Sequence, residues 1–274
     1  MTDWPKNIVA WNSGAIYYFS IPFTWLLPDV KKMADGLSNR GYVVICGGPA
    51  VRLMPEYLGD YSSLTEDPTA LARMNPDATF TTRGCDRGCS FCGVSLIEGS
   101  FRELREFTPK PIVCDSNFLQ SSDKHFNRVI DSLKGIKGVD FNQGLDARRL
   151  TPERASRLLE LDLAAVRFAW DSPTSEKAVF DAIALMRKQG CPKNKINVYC
   201  IFNHKDTFAY SKHRMETLKE LGFRGFAMRY QPLDCLVKNE YVADGWIDRE
   251  CKKFARYWNR QSQFAGVDYE CFSG

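Results

Sequence analysis

The stretch Ala165-Val166-Arg167-Phe168-Ala169-Trp170-Asp171-Ser172-Pro173-Thr174-Ser175-Glu176 contains one whole unit of the fold. Its apolar, β-branched and aromatic residues up to Trp170 read as a buried strand. Asp171 closes the strand with a carboxylate. Thr174-Ser175-Glu176 then supplies the hydroxyls and the early acid of a helix start, with Pro173 tolerated in the first turn. The helical pattern that follows runs over 174–189 and stops at Gly190, the residue type that most easily takes a left-handed conformation after a helix.

The same order recurs to either side. Candidate strands are Thr79–Arg83, Pro111–Cys114, Val139–Phe141, Ala165–Trp170, Ile196–Phe202 and Gly225–Tyr230, with helical patterns near 101–107, 123–136, 152–161, 174–189 and 207–221. Thr151-Pro152-Glu153-Arg154 repeats the helix start and Gly222 the helix end. Alternating strands and helices build parallel sheets, because a parallel neighbour needs a crossover long enough to hold a helix. Six such units predict an α/β fold with an open or partial (β/α)6 barrel over residues 79–234. Each unit also ends in side chains that can hydrogen-bond or ligate: Cys85, then Asp115 and Asn117, Asn142 and Gln143, Asp171, Asn203, and Gln231. Sites in such folds lie at the C-terminal ends of the strands, so these residues are expected to converge on one face. The blander alternative is that polar residues simply open loops.

Residues 1–78 read as a small N-terminal α/β extension, with strands Ala15–Ser20 and Tyr42–Cys46, a helix Pro28–Asn39 between them, and a linker Leu64–Asp77. Gly47-Gly48-Pro49 is expected to be a tight turn, since no glycine-rich phosphate-binding pattern follows it. Residues 235–274 read as a C-terminal helical cap. Phe254, Tyr257 and Trp258 fall at i, i+3 and i+4, one apolar helix face, although the interleaved Arg256 and Arg260 also fit nucleic-acid stacking.

The 274 residues are 44% hydrophobic and 26% charged, which excludes a disordered or low-complexity chain. Thirty-seven Lys and Arg against 33 Asp and Glu leave +4, too weak a field to imply nucleic-acid binding by itself. Apolar stretches such as Ile21–Leu27 fall far below the roughly 20 residues that span a bilayer, and the N-terminus lacks a basic segment followed by an apolar core. A cytoplasmic protein without membrane association is expected. Its ten cysteines are then reduced or metal-bound, not paired in disulfides.

Three of those cysteines lie in Arg83-Gly84-Cys85-Asp86-Arg87-Gly88-Cys89-Ser90-Phe91-Cys92-Gly93, spaced C-x3-C-x2-C in a glycine-rich loop after the first barrel strand. Three thiolates in one tight loop can hold three corners of a cubic iron–sulfur cluster and leave one iron open to a ligand from outside the protein. Structural zinc fits less well, because it prefers two close pairs and no His lies near this loop.

In this motif, with an aromatic before its third Cys and six β/α units around it, the chain resembles the radical S-adenosylmethionine (radical SAM) superfamily. The resemblance covers about residues 79–234, and the loop text is nearest to the cobalamin-associated and methylthiotransferase-like branch. It implies that Cys85, Cys89 and Cys92 ligate a [4Fe-4S] cluster whose open iron binds SAM, with Phe91 beside the adenine. It further implies an Asp115 or Asn117 contact to the methionyl amine, where Asp115-Ser116-Asn117 replaces the family's common Gly-Gly-Glu. Gln143 falls in the next strand-end segment. Arg148, with Arg149 as its rival, is placed to pair with the SAM carboxylate, which suits a guanidinium fork. Asp171 falls where the family often holds the ribose hydroxyls; a helix N-cap is its structural alternative.

The chemistry implied is reductive cleavage of SAM to a 5′-deoxyadenosyl radical that abstracts hydrogen from a substrate C–H bond, in an oxygen-sensitive enzyme. Such an enzyme draws electrons from a low-potential donor such as a flavodoxin or ferredoxin. The weak net charge and the lack of an added recognition domain favour a small molecule or peptide as substrate over RNA or DNA. A non-catalytic cysteine-rich metal-binding module is the alternative of another class. No cobalamin is expected, since none of His125, His204 and His213 sits in an Asp-x-His-x-x-Gly pattern. Cys114 and Cys200 read as small apolar residues of strands. Cys235, Cys251 and Cys271 are too widely spaced to favour an auxiliary cluster.

Overall fold

The computed structural model describes residues 7–65, 67, 69–260 and 266–273. The N-terminal part opens with a hairpin, β1 (Val9–Ser13) and β2 (Ile16–Ser20), that the sequence reading shortened to its second strand. Ser13 pairs with Ile16, so Gly14 and Ala15 form a two-residue turn, and Gly14 takes φ +59° there. Helix α1 (Leu27–Ser38) then crosses to β3 (Val43–Gly47), which lies parallel to β2, as expected of a β-α-β unit. Short helices α2 (Pro49–Leu53), α3 (Pro55–Leu58) and α4 (Ala70–Met74) follow, so Gly48-Pro49 is a helix entry. α4 occupies the segment read as linker, of which residues 66 and 68 lie outside the described residues. Phe19, Ile21, Leu27, Val30, Val44, Cys46 and Leu58 form a hydrophobic core of their own for this part.

The remainder is built on β4 (Ala78–Thr79), β5 (Thr82–Arg83), α5 (Val94–Ile97), β6 (Arg102–Glu103), β7 (Ile112–Val113), α6 (Asp123–Leu133), β8 (Val139–Phe141), α7 (Pro152–Leu158), β9 (Leu163–Ala169), α8 (Glu176–Lys188), β10 (Ile196–Phe202), α9 (Phe208–Glu220), β11 (Arg224–Arg229) and α10 (Asp248–Asn259). Six of these strands form one sheet in the order β4-β7-β8-β9-β10-β11, and every pairing in it is parallel. Each strand lies beside its predecessor, and no strand joins β4 to β11 among the described residues.

Alternation explains how the sheet is covered. Val139 and Phe141, Val166 and Phe168, and Val198, Cys200 and Phe202 are buried in one core with Phe126, Leu158, Ile183, Met215 and Phe254 of the helices. The intervening Asp140, Arg167 and Tyr199 are only half-buried on the other face. Burial of each large aliphatic or aromatic side chain contributes roughly 1.5–3 kcal/mol, so this one core dominates the stability of the sheet. Cys114 and Cys200 are buried in it or beside it, as read from sequence, and burial pushes both thiols up to about 12.

Two further expectations fail. The strand Thr79–Arg83 is broken: β4 joins the sheet, whereas β5 pairs antiparallel with β6. The helix over 101–107 is absent, because Arg102–Glu103 pairs with Thr82–Arg83 and Leu104 N–H bonds to Thr81 O at 2.9 Å. Seven residues are too few for a helix to stand without tertiary support, and here the tertiary support goes to a strand. At the opposite edge, α10 sends Asn259 to β11. Its Oδ1 accepts from Ala227 N–H at 2.8 Å and its Nδ2 donates to Ala227 O at 3.0 Å. Cap residues 261–265 and 274 lie outside the described residues.

Candidate functional site

The cysteine loop leaves β5 through Gly84, at φ +79°. A Cβ there would stand 2.3 Å from Ser100 O and 2.6 Å from Gly99 O, so only glycine fits this close crossing. Gly84 N–H donates to Glu98 Oε2 at 2.6 Å, which ties the loop to the end of α5. Asp86 braces the other side: Phe101 N–H donates to its Oδ1 at 3.0 Å, and Gln120 Nε2 to its Oδ2 at 2.6 Å. Cys92 N–H closes a turn onto Cys89 O at 3.0 Å. The loop is thus held from three directions by hydrogen bonds that do not involve its thiols.

All three thiols line one cavity of about 160 Å³. Asn117, Gln143 and Asp171 of the strand-end set share its wall with Phe91 of the loop, whereas Asn142, Asn203 and Gln231 do not reach it. Asn117 Nδ2 donates to Cys85 Sγ at 3.4 Å, while its Oδ1 is buried without a partner. Asp171 accepts from Ile201 N–H at 2.9 Å across the β9–β10 boundary. The helix start behind it is capped by Ser172, through the hydroxyl of Ser175, so Asp171 is not an N-cap. The Phe91 ring meets His204 edge-on at 5.7 Å, and His204 meets Tyr230 at 4.4 Å.

Two expected residues stand elsewhere. Asp115 is buried and spent on Thr81, whose N–H donates to its Oδ1 at 2.7 Å and whose hydroxyl donates to its Oδ2. It is absent from the cavity wall, which Ser116 and Asn117 reach instead, because Thr81 holds its carboxylate. Arg148 is exposed and folds back on Asp146, with Nε and Nη2 at 2.9 and 2.8 Å from one carboxylate oxygen. Arg149 approaches the same carboxylate at 3.8 Å, and neither arginine lines the cavity. The arginine that does line it is Arg87, inside the cysteine loop, at 3.5 Å from Asp146. Sequence reasoning passed over it because its only signal is a basic residue between two ligand-type cysteines.

Asn203 and Gln231 also prove structural. Asn203, at φ +63°, donates to Tyr230 O and Tyr241 O at 3.3 and 3.1 Å and accepts from Ala243 N–H at 2.8 Å. Gln231 accepts from Asn239 N–H at 2.5 Å. Sequence reasoning likewise missed Asp146 and Tyr199 of the wall. Tyr199 is recognisable only from the register, since its hydroxyl accepts from Arg167 Nε at 3.1 Å while Arg167 also pairs with Asp140.

The electrostatics are those of a desolvated pocket. Burial pushes the Cys89 and Cys92 thiols up; the Arg87 guanidinium opposes this at Cys89, and the Val94 N–H at Cys92. Burial likewise raises Asp146, against the pull of Arg87 and a hydrogen bond from Asn117. It raises Asp171 too, against the Ile201 N–H and the charges of Arg214 and Arg87. Such a pocket favours a cationic partner for its thiols and carboxylates.

Among the described residues, no three His, Cys, Asp or Glu side chains are gathered closely enough to hold a single metal ion. Cys235 is half-buried, Cys251 fully buried and Cys271 exposed, three separate surroundings. No helix among the described residues is long and apolar enough to cross a membrane. No protein-family model matches this chain, and no curated protein matches its sequence.

Proposed function

We propose that this chain is a radical SAM enzyme and that its open parallel sheet is the partial (β/α)6 barrel of that superfamily. The observation that carries the reading is that one loop, leaving the short strand β5 just after the first strand of the sheet, delivers Cys85, Cys89 and Cys92 to a single cavity shared with Phe91, Asn117, Gln143 and Asp171. The donor set fits a [4Fe-4S] cluster: three thiols on one wall, in a loop held by glycine and by backbone hydrogen bonds. Cys85, Cys89 and Cys92 would hold such a cluster, and the chemistry it would supply is one-electron cleavage of SAM into methionine and a 5′-deoxyadenosyl radical able to take hydrogen from a substrate C–H bond.

The chain's own residues bind and orient. The unpartnered Asn117 Oδ1 faces the need of an ammonium group for an acceptor, a role the sequence shared between Asp115 and Asn117. Arg87 takes the carboxylate, the task expected of Arg148, since it is the guanidinium on the wall. Asp171 accepts from ribose hydroxyls, Gln143 adds an amide, and Phe91 covers the base. The apolar wall formed by Val94, Leu145 and Phe168 keeps water from the reacting bond. A low-potential flavodoxin or ferredoxin and a cytoplasmic setting belong to the same proposal.

The test is anaerobic reconstitution with iron and sulfide, reduction with dithionite, and measurement of 5′-deoxyadenosine from SAM. About four irons per chain and formation of the nucleoside are expected, with loss of both in Cys85→Ala, Cys89→Ala and Cys92→Ala. A fully loaded chain that binds SAM without cleaving it would leave a cysteine-rich metal-binding module instead.

A further inference from the structure

The cap helix α10 carries a feature that the cysteine cavity does not use. Arg249, Lys252, Lys253 and Arg256 recur at i, i+3, i+4 and i+7 and line a second cavity of about 350 Å³ with Asp248 and Ser273. The opposite face of the helix is consumed by the core: Cys251, Phe254, Tyr257 and Trp258 are all buried. The +4 of the whole chain therefore hides a local concentration, four cations against one acid along a single helix face.

That acid is shared between Lys252 of the ridge and Arg229 of the sheet. Asp248 lies 2.6 Å from Lys252 and 3.0 Å from Arg229, and the hydrogen bonds from both hold its carboxyl below the usual range. Arg249 and Arg256 form no ion pair with any described residue. Lys253 lies over the Tyr269 ring at 4.6 Å.

The chemistry of the ridge selects among anionic partners. Insertion into a membrane surface needs an apolar face beside the basic one, and here that face is packed inside the protein. Stacking on unpaired bases needs exposed aromatics, and the three on this helix are buried, which removes the interleaved stacking motif read from sequence. What is left is charge at fixed spacing. Four cations over seven residues span about 10 Å, the axial length of about three phosphates on one strand.

We propose that the outer face of α10 docks the sugar–phosphate backbone of double-helical nucleic acid, independently of the chemistry assigned to the cysteine cavity. The contact is to phosphates, so it carries little sequence preference. The start of α10 is tied to the end of β11 through Arg229 and Asp248, so the Arg249 end of the ridge lies beside the C-terminal end of that strand.

Fluorescence anisotropy of the full chain with a labelled 20-base-pair DNA duplex and a labelled RNA hairpin tests this. Binding is expected to weaken with salt along a log–log slope of about −3 to −4 if all four cations meet phosphates. The double variant Arg249→Gln/Arg256→Gln is expected to lower the magnitude of that slope by about 2 and to weaken binding at least tenfold at low salt. Its thermal melting should be unchanged, since both side chains are exposed. Equal binding of the two nucleic acids, or preference for the RNA, supports a backbone reading. Unchanged affinity in the variant would overturn the proposal, as would competition by poly-glutamate as effective as competition by unlabelled duplex.

Discussion

Gly84→Ala isolates what the loop entry requires. The position sits at φ +79°, where an L-residue with a Cβ costs about 1–2 kcal/mol. The added carbon also meets Ser100 O at 2.3 Å, Gly99 O at 2.6 Å and Ser100 C at 2.6 Å. All three atoms are backbone, so no rotamer change relieves the overlap, and over-packing of this kind costs about 1–3 kcal/mol. Together the two effects predict a loss of about 2–5 kcal/mol. Gly88 in the same loop is the control. It also has positive φ, +57°, but nothing lies within 4 Å of its Cβ position. Gly88→Ala should therefore cost only the backbone share of about 1–2 kcal/mol. Urea unfolding compares the two, and iron retained under chelator challenge reports whether the damage stays in the loop. Equal costs for the two variants, within about 0.5 kcal/mol, would refute the crossing argument.

Arg214 is fully buried, with Nη1 on Trp170 O and Nη2 on Ile201 O, both at 2.7 Å, and it is paired with Asp206. Arg214→Met strands that carboxylate and two carbonyls and is expected to cost about 3–5 kcal/mol in urea unfolding. Adding Asp206→Asn should recover about 1 kcal/mol or more of it, and strict additivity would show that the stranded charge is not the cause. His125 is buried, and burial holds its imidazole below the ordinary value of 6.5, against the pull of Glu103 and with the push of Arg128. The unfolded chain thus takes up the proton first, so this contribution to stability is complete above about pH 6.5 and is lost as pH falls through the folded pKa. The stability gap between the protein and His125→Phe, measured from pH 7.5 to 5, should shift against the wild type as pH falls. The buried aspartates titrate in both proteins and cancel, and a gap that stays constant would disprove the assignment.

The central strands were legible because Ile196–Phe202 and Leu163–Ala169 are long, apolar runs flanked by helices with clear starts and stops. Their order followed from the need for parallel crossovers. The segment 101–107 misled because Phe101, Leu104 and Phe107 recur at a near-helical period, while the force that decides it is a pairing partner some twenty residues earlier. Within the site, the identity of the cysteine loop was local information, carried in eleven consecutive residues. Which polar strand-end residues face the cavity was not. Asp115 and Asn117 differ by two positions, yet one is tied to Thr81 and the other reaches Cys85. Arg148 has the right charge in the right segment, but its neighbour Asp146 captures it. Competition among nearby partners, invisible in spacing alone, sets these outcomes.

The clasp of Asn259 on Ala227 bears on how the molecule behaves in company. An outer strand with free amide and carbonyl groups invites a second chain to add to the sheet, the route to edge-to-edge aggregation. At Ala227 both groups are taken by one side-chain amide, in the middle of a strand of six residues. The far edge is only two residues long, too short to template an incoming strand. A single amide on the cap helix thus does for β11 what brevity does for β4, and the sheet ends where its own sequence ends it.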